Sequence, residues 1–438
     1  VKKPRRGLDS LLMINKSIFS LTSIAVVLMV AIAVRFCYFR NNSVNGYNAT
    51  SWDALGYYMY QPGFLIYGDV KNLLWLPQID SIYHVTGGNL YQANKISNGN
   101  YVFKYLGGIC ILQLPFFYIG HTIAKYENVS RDGFSWPYQY SIMFGAIFWF
   151  FIGLLFLRKV MLNFFSDLIT CITILLLFLT TNLPQYISID GAMSHSWIFP
   201  VYCFVLWLTY KWHEKPSMII AFFIGLTCGI ATISRPTEII IIFIPLLWNC
   251  QTKAFSAQKW AYVKHNLTNV YVAIVGGFIG ILPQLLYWKY TTGSFVYDVG
   301  SKWYFLTPWF RVLFGFYSGW FIYTPITLIF IAGLGFMKNK PFEKSIITFC
   351  LLNIWIIIAW SDWKYGVSYA GRALSQGSPV YSFALASFLE KNFSGKRKFL
   401  IITIGVILIL VNFYQIKIYN SGIYNNFSVL EKLLKSFI

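Results

Sequence analysis

The chain has 438 residues, 57% of them hydrophobic and only 11% charged. A soluble domain is nearer a quarter charged, so this composition excludes an ordinary water-soluble fold and points to an all-α polytopic membrane protein. The formal net charge of +20 does not argue for nucleic acid, because the Lys and Arg fall in short clusters between apolar runs, as positive-inside topology requires.

Aromatic residues make up 20% of the chain, more than interfacial belts need, which predicts aromatic-rich loops at headgroup level. The seven Cys are scattered without metal-ligand or disulfide spacing and read as small apolar core residues. The chain opens on residues 1–16, a basic stretch read as a cytoplasmic tail, or, ahead of Met13, as an upstream misreading of the start. No cleavable signal peptide is evident, and the first apolar run, 17–34, reads as a retained anchor. Lys2, Lys3, Arg5, Arg6 and Lys16 before it place the N-terminus inside.

Residues 35–136 then form a long first external loop with interfacial helices. Its first stretch, 35–100, has no apolar run of spanning length. Segment 102–124 is long and apolar enough to cross, and its placement fixes the side of every later loop. Read as interfacial or re-entrant, it puts fourteen Lys and Arg in the five inside loops and six in the outside ones; that bias favours the non-crossing reading, and Gly107, Gly108, Pro115 and Gly120 permit a broken helix. Further spans are predicted near 137–157, 168–187, 194–210, 217–234, 236–250, 269–288, 320–337, 345–361, 374–389 and 399–416. The expectation is about eleven transmembrane helices in one domain, 17–420, with the N-terminus inside and the C-terminus outside. Residues 421–438 carry Leu430, Leu433, Leu434 and Phe437 at helical spacing and form a short external amphipathic tail.

Polar groups at membrane edges are costly unless solvated or paired, and often mark a substrate path. Three sets fall where spans meet the outer side. In SWDALGYYMYQPGFLIYGD, Asp53 and Asp69 flank Tyr57 and Tyr58. Asp190 and His195 lie in SIDGAMSHSW, and Arg235 with Glu238 in ISRPTEII, alongside Arg372 in YAGRALSQGSP. Each has a plainer alternative. Asp53 could cap an interfacial helix over 54–60, Asp69 and Asp190 could make turns, and His195 could be hydrogen-bonded filler. Arg235 and Arg372 could snorkel to headgroups. Trp303, Trp309, Trp320 and Trp363 read as an interfacial belt rather than sugar platforms. Taken together, the sets describe an external cavity with acids on one side and Arg on the other. A carboxylate such as Asp53 would take a proton from an acceptor hydroxyl while guanidinium groups hold a departing phosphate.

At these residues the sequence resembles the GT-C membrane glycosyltransferases, the superfamily of protein O-mannosyltransferases, aminoarabinose transferases and oligosaccharyltransferase catalytic subunits. The resemblance covers roughly 17–390. It is carried by Asp53 with Tyr57 and Tyr58 after one span, by Asp69 in IYGD, and by FKYLGGICILQLPFF with Lys104 and Tyr105. PQYISIDGAMSHSW, ISRPTEIIIIFIPLLW and WKYGVSYAGRALSQGSP also contribute. Two departures stand out: no Pro follows Tyr105, and Asp53 is followed by Ala54 where many members have Glu.

The resemblance implies a GT-C-like fold in the plasma membrane with its active site facing the periplasm or exterior. A polyprenyl-phosphate-linked sugar would be the donor, and a lipid, glycan or protein hydroxyl the acceptor. Asp53 would be the catalytic base, Arg235 and Arg372 the phosphate clamps. Tyr57, Tyr58, Asp69, Lys104, Asp190 and His195 would shape the substrate pocket. No cofactor is assigned; a divalent cation is left open, with Asp190 and His195 the residues that could supply ligands. A lipid-linked glycan flippase is the alternative transporter reading, but it predicts charges at mid-membrane and inverted repeats, and the charges here cluster at the outer ends. An O-antigen ligase or polymerase, the other alternative, usually carries its large loop late in the chain.

Overall fold

The structure, a computed structural model, describes residues 17–38, 49–366 and 368–421. The basic tail expected over 1–16 and nearly all of the amphipathic tail expected over 421–438 lie outside the described residues. The fold is 70% helix and 2% strand, a helical membrane protein in its broad class.

The first helix, α1 (Ile18–Cys37), is started by a carboxylate from far along the chain. Asp167 accepts the backbone N–H groups of Phe19 and Ser20 at 2.9 and 3.1 Å. That supplies acceptors and negative charge where a helix N-terminus has orphan donors. Arg158 ties down the same corner, donating to Ser20 Oγ at 2.8 Å and to the Ser17 carbonyl at 2.9 Å. This node marks one end of the bundle. Lys340–Glu390 and the packed rings of Phe164, Trp248, Phe342 and Phe383 belong to it too.

At the opposite end, after α1, the chain builds the layer that will hold the site: α2 (Asp53–Tyr58), α3 (Tyr60–Leu65), α4 (Leu76–Tyr83) and a hairpin of β1 (Ala93–Lys95) and β2 (Tyr101–Phe103). The non-crossing segment predicted over 102–124 therefore begins later, as α5 (Gly108–Tyr126), because 101–103 pair in the hairpin. A Cβ on Gly108 would lie 2.5 Å from the Ser234 backbone nitrogen, and one on Gly120 would lie 2.8 Å from Tyr138 Cα. Ser234 ends a helix that comes up from the Arg158 end, and Tyr138 begins one that returns to it. The start of α5 thus packs against the last turn of α9, and Gly120, two-thirds of the way along it, against the first turn of α6.

The remaining helices are α6 (Trp136–Met161), α7 (Asp167–Leu179), α8 (Ser194–Glu214), α9 (Met218–Ser234), α10 (Phe243–Leu247), α11 (Lys253–His265), α12 (Leu267–Thr292), α13 (Arg311–Phe314), α14 (Trp320–Tyr323), α15 (Ile326–Leu334), α16 (Glu343–Ala359), α17 (Ser378–Asn392) and α18 (Gly395–Asn420), of which α10, α13 and α14 are single turns of four or five residues. Four of the described helices, α1, α6, α12 and α18, are long and apolar enough to cross a membrane. Several other predicted spans are interrupted, for readable reasons. The span over 168–187 stops at Leu179, where the Thr180 and Thr181 hydroxyls turn back on the carbonyls of Leu176 and Leu177. A π-helical turn, Gln185–Ile189, follows Pro184. The span over 236–250 opens as a 3₁₀ turn, Pro236–Ile242, and that over 374–389 is preceded by another, Arg372–Gly377. The 320–337 run splits into α14 and α15 at Thr324–Pro325. Irregular backbone at membrane depth is tolerated where it is buried in protein or lines a cavity, and these breaks gather at the end opposite Arg158.

Small residues set the tightest helix pair. Gly225 and Gly229 of α9 face Gly276, Gly277 and Gly280 of α12, and a Cβ on Gly225 would sit 1.8 Å from the Ala273 carbonyl oxygen. Close backbone approach of this kind drives helix association in lipid, where apolar area alone gives none.

Candidate active site

Asp53 is the first residue of α2, and its side chain does not cap that helix. The preceding Trp52 sits at φ 57, ψ −132, a conformation that non-glycine residues avoid. It is held there by a bond from its N–H to the Val85 carbonyl and one from Gln92 Nε2 to its own carbonyl, both 3.0 Å. The turn sends the carboxylate inward. Its Oδ1 accepts the hydroxyls of Tyr91 at 2.7 Å and Tyr105 at 2.8 Å, and its Oδ2 accepts an Arg372 Nη at 2.7 Å. Arg372 likewise follows strained backbone: Ala370 and Gly371 have φ 51 and 59, the Ala370 carbonyl is held by Asn182 Nδ2 at 2.6 Å, and Gly371 packs so close to Trp320 that a Cβ would approach it to 2.9 Å.

The Arg372 and Asp53 side chains are 18% and 22% exposed, mostly buried yet reachable. Burial pushes the Asp53 carboxyl up, but the Arg372 charge and the hydrogen bonds from Tyr91, Tyr105 and Arg372 outweigh it and hold the group below the usual carboxylate range. On Arg372, burial is outweighed by Asp53, so the guanidinium is held protonated more firmly than usual. The Tyr105 phenol is pushed up by burial and by the neighbouring Asp53 charge, so it stays a donor.

Beside this pair lies a cavity of about 410 Å³. Lys104 and Arg235 supply its cations, Asp298 an acid, and Trp288, Trp303, Trp360 and several tyrosines its ring surfaces. Neither Asp53 nor Arg372 is on its wall; Tyr105 joins the two places, lining the cavity with its ring and donating to Asp53 with its hydroxyl. Tyr57 also lines the cavity and stands edge-on to Tyr105, ring centroids 4.7 Å apart. Among the described residues neither Lys104 nor Arg235 has a carboxylate partner.

Behind the cavity runs a buried polar relay. Tyr202 donates its hydroxyl to Glu238 Oε2, Gln376 Nε2 donates to Glu238 Oε1 at 3.0 Å, and Gln376 Oε1 faces His195 Nδ1 at 2.8 Å. All four are buried. Because the Gln376 amide nitrogen donates to Glu238, its amide oxygen is turned toward the His195 ring, which can donate to it from Nδ1. Glu238 follows Arg235 by three residues, Gln376 follows Arg372 by four, and His195 opens α8. The relay therefore clamps together the three segments that present both arginines.

The structure gathers Asp53, Tyr57, Lys104, Arg235 and Arg372 into one region, with His195 behind them, within electrostatic reach of Asp53 and both arginines. It leaves three others off the cavity wall. Asp69 accepts the N–H groups of Lys71, Asn72 and Leu74 at 2.7 to 3.0 Å; it organises its own turn, and although burial raises its carboxyl, those bonds hold it low. Tyr58 is buried with its hydroxyl on the Gly133 carbonyl, a packing role. Asp190 accepts Gln185 Nε2 at 2.8 Å, beside Asn420, and is not on the cavity wall. Two further readings change. Asp53 is not a lone acid but half of an ion pair. Arg372, expected as a phosphate clamp, spends one Nη on that pair. Among the described residues no three His, Cys, Asp or Glu side chains gather in a metal-holding group; in particular Asp190 and His195 are each engaged by a Gln.

Sequence reasoning missed Tyr91 and Gln376. Tyr91 carries no local signal, since only the hairpin and the Trp52 turn bring it to Asp53. Gln376 had one: its helical spacing from Arg372. No family model, no curated protein and no solved structure matches the chain.

Proposed function

We propose that the protein is a membrane glycosyltransferase. It moves a sugar from a polyprenyl-phosphate donor to a hydroxyl of a lipid, glycan or protein acceptor on the outer face of the plasma membrane. The observation that carries the reading is the pair of cations, Arg235 and Lys104, facing a ring-lined cavity with no carboxylate partner among the described residues, one tyrosine away from a mostly buried, ionised Asp53. Guanidinium and ammonium groups left unpaired in a partly dry cavity suit a phosphate, and tryptophan faces suit a sugar ring or an isoprenoid. The outer-face assignment rests on the excess of Lys and Arg in loops at the Arg158 end.

In the step proposed, the acceptor oxygen attacks the anomeric carbon as the bond from that carbon to the phosphate oxygen breaks. The hydroxyl proton passes to Asp53, and the polyprenyl phosphate leaves as an anion held by Arg235 and Lys104. Tyr91, Tyr105 and Arg372 occupy three of the roughly four lone-pair sites of the carboxylate, leaving one for the acceptor and fixing its direction. One base and one displacement give inversion.

Purified protein given radiolabelled polyprenyl-phosphate sugars and a membrane extract should pass label to an acceptor. Asp53→Asn should abolish transfer with expression unchanged; full activity in that variant would sink the assignment.

A further inference from the structure

We infer that the segment after α12, residues 294–319, is seated in the outer leaflet of the bilayer and forms a lipid-immersed rim of the cavity. This rests on the transferase reading only for its purpose, as the side through which an isoprenoid tail leaves the site.

The two sides of this segment differ in chemistry. Its inner side lines the cavity through Tyr297, Asp298, Ser301 and Trp303. Its backbone is fastened to the end of α16: Tyr304 N–H reaches the Ala359 carbonyl at 2.6 Å, Trp309 N–H reaches the Ile358 carbonyl at 2.7 Å, and Ser361 N–H reaches the Lys302 carbonyl at 2.9 Å. Its outer side presents Phe295, Val296, Leu306, Phe310, Phe314 and Phe316 to the surroundings, with Leu306 96% and Val296 70% exposed. So much contiguous apolar surface is not left facing water on a soluble face. The main-chain bonds above hold the middle of the segment in place, and nothing in the described protein covers these side chains.

Two observations identify lipid as the cover. The segment follows directly on α12, where Tyr271, Ile274, Phe278, Leu286 and Tyr290 are exposed; α12 is among the four helices apolar enough to cross. The segment is also edged by exposed basic groups stacked on rings, Arg311 over Trp363 at 5.6 Å and Lys364 over the same ring at 5.7 Å. Cations with aromatic rings are the composition of a membrane interface, with charges at the phosphates and rings below them.

The test places a bimane probe on Leu306→Cys in a Cys37→Ser background, in full-length protein in single-copy nanodiscs. The expected result is loss of fluorescence in lipids brominated along the upper acyl chain and little loss to aqueous iodide. Quenching by iodide and not by brominated lipid overturns the inference. So does a blue-shifted probe that neither agent quenches, since another protein surface, the chain after residue 421 or a second copy, would then cover the segment. Phe310→Asp is the companion variant: it should raise KM for a long-chain lipid-phosphate donor while leaving KM for a short, water-soluble analogue unchanged. Lipid quenching in a preparation that transfers no sugar would support this inference and remove the transferase reading alone.

Discussion

Replacing Arg372 by Gln isolates what the ion pair does to Asp53. At contact distance and an effective dielectric of about 20, a unit charge pair is worth about 4 kcal/mol, close to three pH units at about 1.36 kcal/mol each. Carboxylates beside arginine are typically lowered by about 1–3 units. The two side chains are about one-fifth exposed, so solvent screening keeps the effect in the lower half of that range. In the native protein the carboxyl sits below its ordinary value, so Asp53 stays ionised, and the rate of the proposed transfer should hold level as pH falls into the ordinary carboxylate range. In Arg372→Gln, burial is opposed only by the two tyrosine hydroxyls. The acid limb of the rate profile should then move to higher pH. Stability should respond with the matching sign. The native Asp53 stabilises the fold above its unfolded pKa, and that contribution fades as pH falls through the lower folded value. In the variant the folded pKa moves back up toward the unfolded one, so this loss of stability on acidification should shrink. The assays are initial rate and thermal midpoint across the same pH series. Coincident acid limbs for the two proteins would mean that Asp53 is not the group titrating in the reaction.

Four more outcomes follow from contacts already described. Arg235→Ala removes a charged donor worth about 1.5–3 kcal/mol, so KM for the lipid-phosphate donor should rise roughly ten- to hundredfold; an unchanged KM would take Arg235 out of the phosphate site. Glu238→Ala strands the Tyr202 hydroxyl and the Gln376 amide in a buried place, at about 1–3 kcal/mol for each unsatisfied group. Its thermal midpoint should fall further than that of Glu238→Gln, which keeps an acceptor. Asp69→Ala should hasten proteolytic nicking near residues 69–74, where three N–H groups lose their acceptor, and leave kcat unaltered. Gly225→Ala forces a methyl against a backbone carbonyl at 1.8 Å and should cost about 1–3 kcal/mol as an overpacked contact, seen as lower thermal stability with substrate affinity preserved.

The broad fold was legible because membrane burial imposes long apolar runs that are visible one segment at a time. The interruptions were legible only in part. Pro184 and Pro325 announce breaks, but a 3₁₀ turn over 372–377 has no such signal; what specifies it is the space between Trp320 and Asn182, supplied from elsewhere in the chain. At the site, Asp53, Arg235 and Arg372 stood out because charge is scarce in this chain. Tyr91 did not, since one tyrosine among thirty-one says nothing until the hairpin places it. Asp69 shows the converse: a carboxylate after Gly68 satisfies its own turn, so scarcity of charge was no guide to function there.

The strained residues give the pairing its meaning. Asp53 follows Trp52, and Arg372 follows Ala370 and Gly371, all with positive φ. Backbone of this kind in a non-glycine residue costs of the order of 1–3 kcal/mol and persists only where its surroundings over-determine it. Here they do. Val85 and Gln92 hold the Trp52 peptide, Asn182 holds the Ala370 carbonyl, and Gln376, four residues beyond Arg372, is locked between Glu238 and His195. An ion pair wanted only for stability would gain little from such construction, since buried pairs often do no better than apolar residues of the same volume. A carboxylate that must keep one direction and one charge state while a substrate hydroxyl arrives is a reason to keep it.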